Sequence, residues 1–410
     1  MRNYLKHAGL ALAFCLLSFQ GWAQFEGSRL SPQARISLIT CSSGSDLYAI
    51  FGHSAVRVHD PVNRFDVVFN YGTFDFDEPN FYLKFIRGKL RYKLSISDFN
   101  QFVYSYTRDN RSVYEQEMNL TEAQRQQYWA FLTNNYLPEN RFYLYDFFFD
   151  NCATRIRDGV EATFPSQIRF NISDFDEDMS FRNLIDLYLV PQPWSDFGID
   201  FALGAPIDRE ATPYEYMFLP DFLAKGFANA TLTANGQTKP LVGEMQVLFE
   251  REPIPFTRGF FTPMLVWWLF FVAVLALTVA DVLRRRRSRA FDMTFFFIVG
   301  FMGVVLLLLW VATDHQATAY NFNLLWALPT HLIVAFFLGR NALPAWASRY
   351  MLGTAVLAAV LLLFWPWWPQ MLHQAFVPVT LAIGLRAAYT VWFSRKTATE
   401  TIEPQVKQTI

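Results

Sequence analysis

Cysteine is scarce in this chain: three residues in 410, of which Cys15 falls inside an N-terminal apolar run. There is no Cys-x-x-Cys and no His-Glu-x-x-His, and residues 24–257 hold only two histidines, His53 and His59. The ligand spacings of a zinc site are therefore missing. A glycine-rich loop that would cradle phosphates is absent, as are internal repeats and low-complexity runs. These gaps point to chemistry without a metal or a cofactor. Net charge carries little, because 35 basic and 36 acidic side chains average over two stretches suited to different solvents.

What the chain has is apolar length in two places. Arg2 and Lys6 flank the start of an apolar run over 8–19 that is too short to span a bilayer, and Gly21-Trp22-Ala23 supplies small residues for cleavage. Residues 1–23 therefore read as a signal peptide, with Cys15 too early in the run for a lipoprotein signal. Residues 29–258 mix charge, aromatics and turn residues, as an exported soluble domain of about 230 residues would. Beyond them, the segments 260–282, 293–312, 324–339, 350–367 and 374–393 are apolar enough to span a membrane. A helical transmembrane domain over 258–396 with about five helices is expected, then a cytoplasmic tail over 397–410. The run Arg284-Arg285-Arg286-Arg287-Ser288-Arg289 follows the first span and should be cytoplasmic. That places residues 24–257 outside, in agreement with the leader, and predicts an inner-membrane protein. Asp314-His315 then also faces outward.

Within the exported part, period-2 patterns predict strands over 34–40, 55–59 running out of His53, 64–71, 90–96 and 113–120. Helices are expected over 98–106 and 121–136, the second opened by a Thr121/Gln124 capping box. Residues 231–249 read as a hairpin on an Asn235-Gly236 turn, a candidate stalk over 230–257 leading to the membrane. A basic run, Lys84, Arg87, Lys89, Arg91 and Lys93, has Phe81, Tyr82, Phe85 and Tyr92 between its charges. Outside the cell it has no nucleic acid to meet, and it reads as a solvated strand face or a surface for anionic lipid headgroups.

The stretch with chemistry in it is 146–158. An aromatic run ends at Asp150-Asn151, and Cys152 opens a helix whose Ala153, Ile156 and Val160 share a face. Asn151 is a good N-cap, and a thiol in the first turn feels the positive end of the helix dipole, which favours thiolate. A thiol nucleophile needs a base, and His53, between the small Gly52 and Ser54, is the candidate. Asn70 on the neighbouring strand is the first choice to orient His53, with Asp66 and Asp75 behind it. His59 reads as a turn residue before Asp60-Pro61. The backbone N–H of Cys152, aided by Asn151, would stabilise an oxyanion. The structural alternative is a Cys41–Cys152 disulfide, which an exported domain permits.

Five separated motifs carry a resemblance. Phe51-Gly52-His53-Ser54-Ala55-Val56-Arg57-Val58, Phe69-Asn70-Tyr71-Gly72-Thr73-Phe74, Asn110-Arg111-Ser112-Val113, Glu139-Asn140-Arg141 and residues 145–158 resemble the exported domain of Lnb-type lipoprotein N-acyltransferases. The resemblance implies an α+β, circularly permuted papain-like (NlpC-type) domain in which the His strand precedes the Cys helix. It also implies acyl transfer, through a thioester on Cys152, to the N-terminal amine of a lipoprotein, with membrane lipids and lipoproteins as partners. Two other readings compete with it: a permuted NlpC-type cell-wall amidase or peptidase, and a non-enzymatic sensor or transport component resting on Arg386 and His331 within the spans. On the acyltransferase reading, Asp314 and His315 are candidates to hold substrate at the outer surface.

Overall fold

The computed structural model describes residues 28–171, 178–253 and 259–407. The expected leader lies outside them. In chain order the elements are β1 (Arg35–Cys41), β2 (His53–Asp60), β3 (Phe65–Thr73), α1 (Phe81–Ile86), β4 (Arg91–Asp98), α2 (Phe99–Arg108), β5 (Val113–Glu117), α3 (Glu122–Tyr136), β6 (Phe142–Leu144) and α4 (Cys152–Thr163). Then come β7 (Ile168–Arg169), α5 (Phe181–Leu189), α6 (Pro193–Ala202), α7 (Pro220–Asn229), β8 (Thr231–Ala234), β9 (Gln237–Pro240) and β10 (Gln246–Phe249). The apolar helices are α8 (Pro263–Leu283), α9 (Arg289–Val311), α10 (His331–Leu338), α11 (Ala345–Leu363) and α12 (Phe376–Lys407). The chain forms two compact units. Of the described residues, one holds 28–79, 90–171 and 212–253; the other holds 80–89, 178–211 and 259–407.

The first unit is built on a seven-stranded antiparallel sheet in the order β10-β5-β1-β2-β3-β4-β6. β1 is central because its side chains, Ile36 to Cys41, are apolar or small and buried on both faces. Arg57 ties three strands together: its guanidinium binds Asp66 (2.6 Å) and Glu115 (2.9 Å) and lies 3.4 Å from the Phe99 ring centre. α2 is capped by Asp98, which accepts from the N–H groups of Asn100 and Gln101. α3 starts at the expected Thr121/Gln124 capping box. The Asn235-Gly236 turn has φ of 53° and 75°, as a type I′ hairpin requires. Its first strand, β8, pairs with β7 to make a second sheet, while β10 pairs with β5 at the edge of the main one. Residues 230–253 are thus part of the exported fold rather than a stalk. A free four-residue strand cannot bury its own backbone groups, and the edge of β5 offers them partners.

In the second unit, four helices among the described residues are long and apolar enough to cross a membrane: 263–283, 289–311, 345–363 and 376–396. The third expected span departs from a helix. Phe322–Leu325 is a 3-10 turn, and α10 runs only over His331–Leu338, with Pro329 unable to supply an N–H between them. The segment still runs from one end of the bundle to the other. At its start Asn321 and Asn323 donate to the carbonyls of Phe201 and Asp200, and at its end Arg287 donates to those of Leu338 and Arg340. Irregular backbone at this depth must be covered by protein. Gly300 and Gly303 of α9 provide the cover: a Cβ on either would fall 2.1 Å from Leu332 N or 1.9 Å from Ala327 O, so only glycine permits this approach. Near the arginine run, fully buried Arg386 reaches Asp292 (2.7 Å), Asp281 (3.1 Å) and Thr278 (3.0 Å), joining α12 to α8 and α9.

Candidate active site

Asn151 fixes the start of α4. Its Oδ1 accepts from the N–H groups of Ala153 (2.8 Å) and Thr154 (2.9 Å), and Thr154 Oγ1 accepts from its own N–H (2.8 Å). Cys152 is thereby the first helical residue, at the positive end of the backbone dipole. The loop before it is closed by Asp146, which takes the N–H groups of Phe148 and Phe149, and by Arg155 against Asp150. Asn151 is not an oxyanion donor. Its two amide hydrogens already go to the carbonyls of Phe147 (2.7 Å) and Phe218 (2.8 Å).

His53 opens β2. Gly52 before it holds a φ of 78°, and a Cβ there would press to 2.9 Å from the Cys41 carbonyl, so this approach to the base requires glycine. The β2–β3 register, Val56 against Phe69, carried on to the strand end puts His53 across from Gly72 and Asn70 diagonal to it on the same face. His53 Nε2 lies 2.6 Å from Asn70 Oδ1. The acceptor oxygen places a hydrogen on Nε2 and leaves Nδ1 for the sulfur of Cys152, with which the imidazole shares a hydrogen bond.

The electrostatics of the pair favour charge separation. Burial pushes the Cys152 thiol up, but the His53 charge, the His53 hydrogen bond and the N–H groups of Ser54 and Ala153 outweigh it and bring the thiol below its ordinary value. Burial pushes His53 down, and the Cys152 charge with the Cys152 and Asn70 hydrogen bonds lifts it above its ordinary value. Cys41 is the internal control. It is a free thiol, its Cα is paired with that of His53 across β1–β2, and burial pushes it far up. Cys152 keeps 7% of its surface open and Cys41 none. Both cysteines are free, so no disulfide joins them.

Other expected groups are otherwise engaged. Asp66 holds Arg57, and exposed Asp75 accepts the N–H of Asp77 in a turn. In the membrane unit Asp314 and His315 bind the segment 85–89, through Asp314 N to Arg87 O (3.0 Å) and His315 Nε2 to Phe85 O (3.0 Å). Residues without an expected role surround the base. The Tyr106 ring stacks on the imidazole at 6.2 Å, and the Arg111 guanidinium lies 4.6 Å from the centre of that ring. Arg111 also donates to Ser42 O at 2.8 Å. Tyr143 and Tyr145 are close enough to the sulfur for its charge to raise them, after burial itself. Arg111 stands inside one of the five motifs, but an arginine acting through an aromatic ring has no spacing to betray it. Among the described residues, one acidic group has metal-ligand spacing: Asp186, Asp196 and Asp200, with ligand oxygens within 4.8 Å of one another. Arg182 pairs with Asp200, and His373 lies 3.5 Å from Asp196.

Two family descriptions match the chain: the Lnb N-terminal periplasmic domain over residues 24–185 and the Lnb transmembrane domain over residues 255–398. The chain belongs to the Lnb family. It is a multi-pass membrane protein with a periplasmic N-terminal domain. No curated protein and no solved structure matches it. Within the Lnb periplasmic match lie Cys152, His53 and Asn70, and within the transmembrane match lie all four long helices, the broken segment and the Arg386 cluster.

Proposed function

We propose that this Lnb-family chain is a thiol acyltransferase of the inner membrane that moves an acyl chain from an ester-bearing lipid to the N-terminal amine of a lipoprotein. The observation that carries the reading is the Cys152–His53–Asn70 constellation in a periplasmic domain of a multi-pass membrane protein. Cys152 thiolate attacks the ester carbonyl, the tetrahedral oxyanion faces the Cys152 backbone N–H at the helix start, and His53 gives its proton to the departing alkoxide. The thioester is then attacked by the amine. His53 takes the amine proton, the C–S bond breaks, and the thiolate returns with an amide formed. No metal or redox partner enters this balance. His53 preceding the Cys152 helix supports a circularly permuted papain-like arrangement.

A cell-wall amidase would use the same pair on a soluble substrate. The broad membrane unit favours a substrate that stays at the lipid surface. Intact mass spectrometry of lipoprotein N-termini tests the reading: cells carrying the chain should show N-acylated termini, and Cys152→Ala should show none. Acylation that survives Cys152→Ala overturns it.

A further inference from the structure

Residues 80–89, between β3 and β4, belong to the membrane unit. The segment turns at Asn80 (φ 60°), makes the short helix α1 and turns back at Gly88 (φ 68°). Three contacts lash it to the loop after α9: Asp314 N to Arg87 O at 3.0 Å, His315 Nε2 to Phe85 O at 3.0 Å, and Lys89 Nζ to Asp314 Oδ2 at 3.6 Å. That loop is in turn tied to the last turn of α9 by Thr313 and Thr318, whose hydroxyls both donate to Leu309 O. Trp310 and Tyr320 pair at 5.0 Å beside it, as aromatic residues do at a membrane–water boundary.

Held at this level, α1 buries Phe81 and leaves Tyr82, Leu83, Phe85 and Ile86 exposed by 74, 56, 51 and 51%. Four large apolar side chains within five residues form a patch that water alone does not account for. Between and after them stand Lys84, Arg87 and Lys89, and residues 80–89 contain no acidic side chain. We propose that residues 80–89 form an interfacial paddle. Its Tyr82, Leu83, Phe85 and Ile86 enter the outer acyl-chain boundary of the membrane that holds the spans, and Lys84 and Arg87 meet anionic lipid phosphates. The end of a span fixes which apolar phase is nearest, and the one-signed charge matches anionic headgroups rather than zwitterionic ones. The paddle follows from the membrane placement and does not depend on the chemistry of Cys152.

The test uses the full chain, freed of its own cysteines, with Leu83→Cys or Ile86→Cys carrying an environment-sensitive fluorophore, in vesicles of phosphatidylcholine and phosphatidylglycerol. Val62→Cys, an exposed site in the other unit, is the reference. Shallow lipid spin labels should quench the Leu83 and Ile86 labels at least twofold more than deep ones, with aqueous iodide quenching at least threefold weaker than at Val62. Lys84→Gln/Arg87→Gln should remove any gain in lipid quenching that phosphatidylglycerol adds over phosphatidylcholine alone. Labels as open to iodide as Val62 and untouched by lipid spin labels overturn the proposal. Labels shielded from both overturn it too, because a protein then covers the patch.

Discussion

Asn70→Ala separates a working base from a merely neighbouring histidine. The Asn70 oxygen accepts a 2.6 Å hydrogen bond from His53 Nε2, and that bond strengthens when the ring is charged. A hydrogen bond to a charged group contributes about 1.5–3 kcal/mol, and a pKa unit corresponds to about 1.4 kcal/mol. Losing it should therefore lower His53, although the Cys152 charge and hydrogen bond are the larger influences that raise it. Because the imidazolium charge is the largest influence holding the Cys152 thiol down against burial, the thiol midpoint should rise. The sign follows from the pair. Thiolate–imidazolium exists above the lowered thiol value and below the raised imidazole value, so weakening it narrows the window from both sides. The assay is the rate of iodoacetamide alkylation against pH, read by intact mass, with buried Cys41 silent and Cys152→Ala as the blank. Donor turnover should fall about 10–100-fold at neutral pH, and Asn70→Asp, which keeps an acceptor oxygen, should recover most of it. An unchanged alkylation midpoint with full turnover in Asn70→Ala would show that Asn70 does not set the base.

Gly52→Ala should cost about 1–2 kcal/mol of stability through its positive φ and move His53, so turnover should fall more than the melting temperature predicts. Arg111→Met, which removes the charge over Tyr106, should shift the upper limb of the pH–rate profile more than it shifts donor KM, and Arg111→Lys should restore part of that shift. Asp60 is held below the usual carboxylate range: burial raises it, but bonds from Ser31 and Asn63 outweigh that, so its stabilising effect is present at neutral pH and is lost as pH falls through its folded value. Asp60→Ala should then lower the neutral-pH unfolding midpoint, with the difference from the parent shrinking in acid. Arg386→Met should destabilise by about 3–5 kcal/mol by removing the buried cation nearest both Asp281 and Asp292, and Arg386→Met/Asp281→Asn/Asp292→Asn should recover much of it in detergent melting curves.

Local rules made much of the site legible. Asn151 before Cys152 reads as a cap and is one; Thr121 with Gln124 reads as a capping box and is one; period-2 runs place His53 and Asn70 on adjacent strands. What local rules miss is who else needs a residue. Asn151 looks available for an oxyanion until Phe147 and Phe218 claim its hydrogens, and Asp66 looks available to the imidazole until Arg57 takes it. Hydropathy marks the change of solvent near residue 258, but it does not say which core a polar segment joins. Residues 80–89 and 178–211 fold with the membrane helices although their composition is that of the exported part. An apolar count over 324–339 likewise cannot register that Pro329 and a 3-10 turn break the helix within that segment.

The same distinction bears on the sensor or transport alternative, which rested on ionisable groups inside the spans. A group that carries or senses charge needs an alternative partner or access to water. Arg386 has neither. Asp281, Asp292 and Thr278 occupy its guanidinium, all of these side chains are buried, and Arg287 stands 3.8 Å from the other Asp292 oxygen. Arg386, Arg287 and Arg286 together face the two aspartates, and the cluster joins the end of α8, the start of α9 and α12. His331 is engaged at one nitrogen, with Nδ1 2.8 Å from the Tyr350 hydroxyl, which itself meets Thr330, while its buried Nε2 has no hydrogen-bond partner among the described residues. The arginine–aspartate contacts tie three helices together at buried side chains, which suits a role in holding the bundle. The polarised pair is instead in the periplasmic unit, where Cys152 sits below and Cys41 far above the ordinary thiol value within the same fold. The difference between two buried thiols lies in the imidazole and N–H groups around one of them, which is what the proposed role of Cys152 as a nucleophile requires.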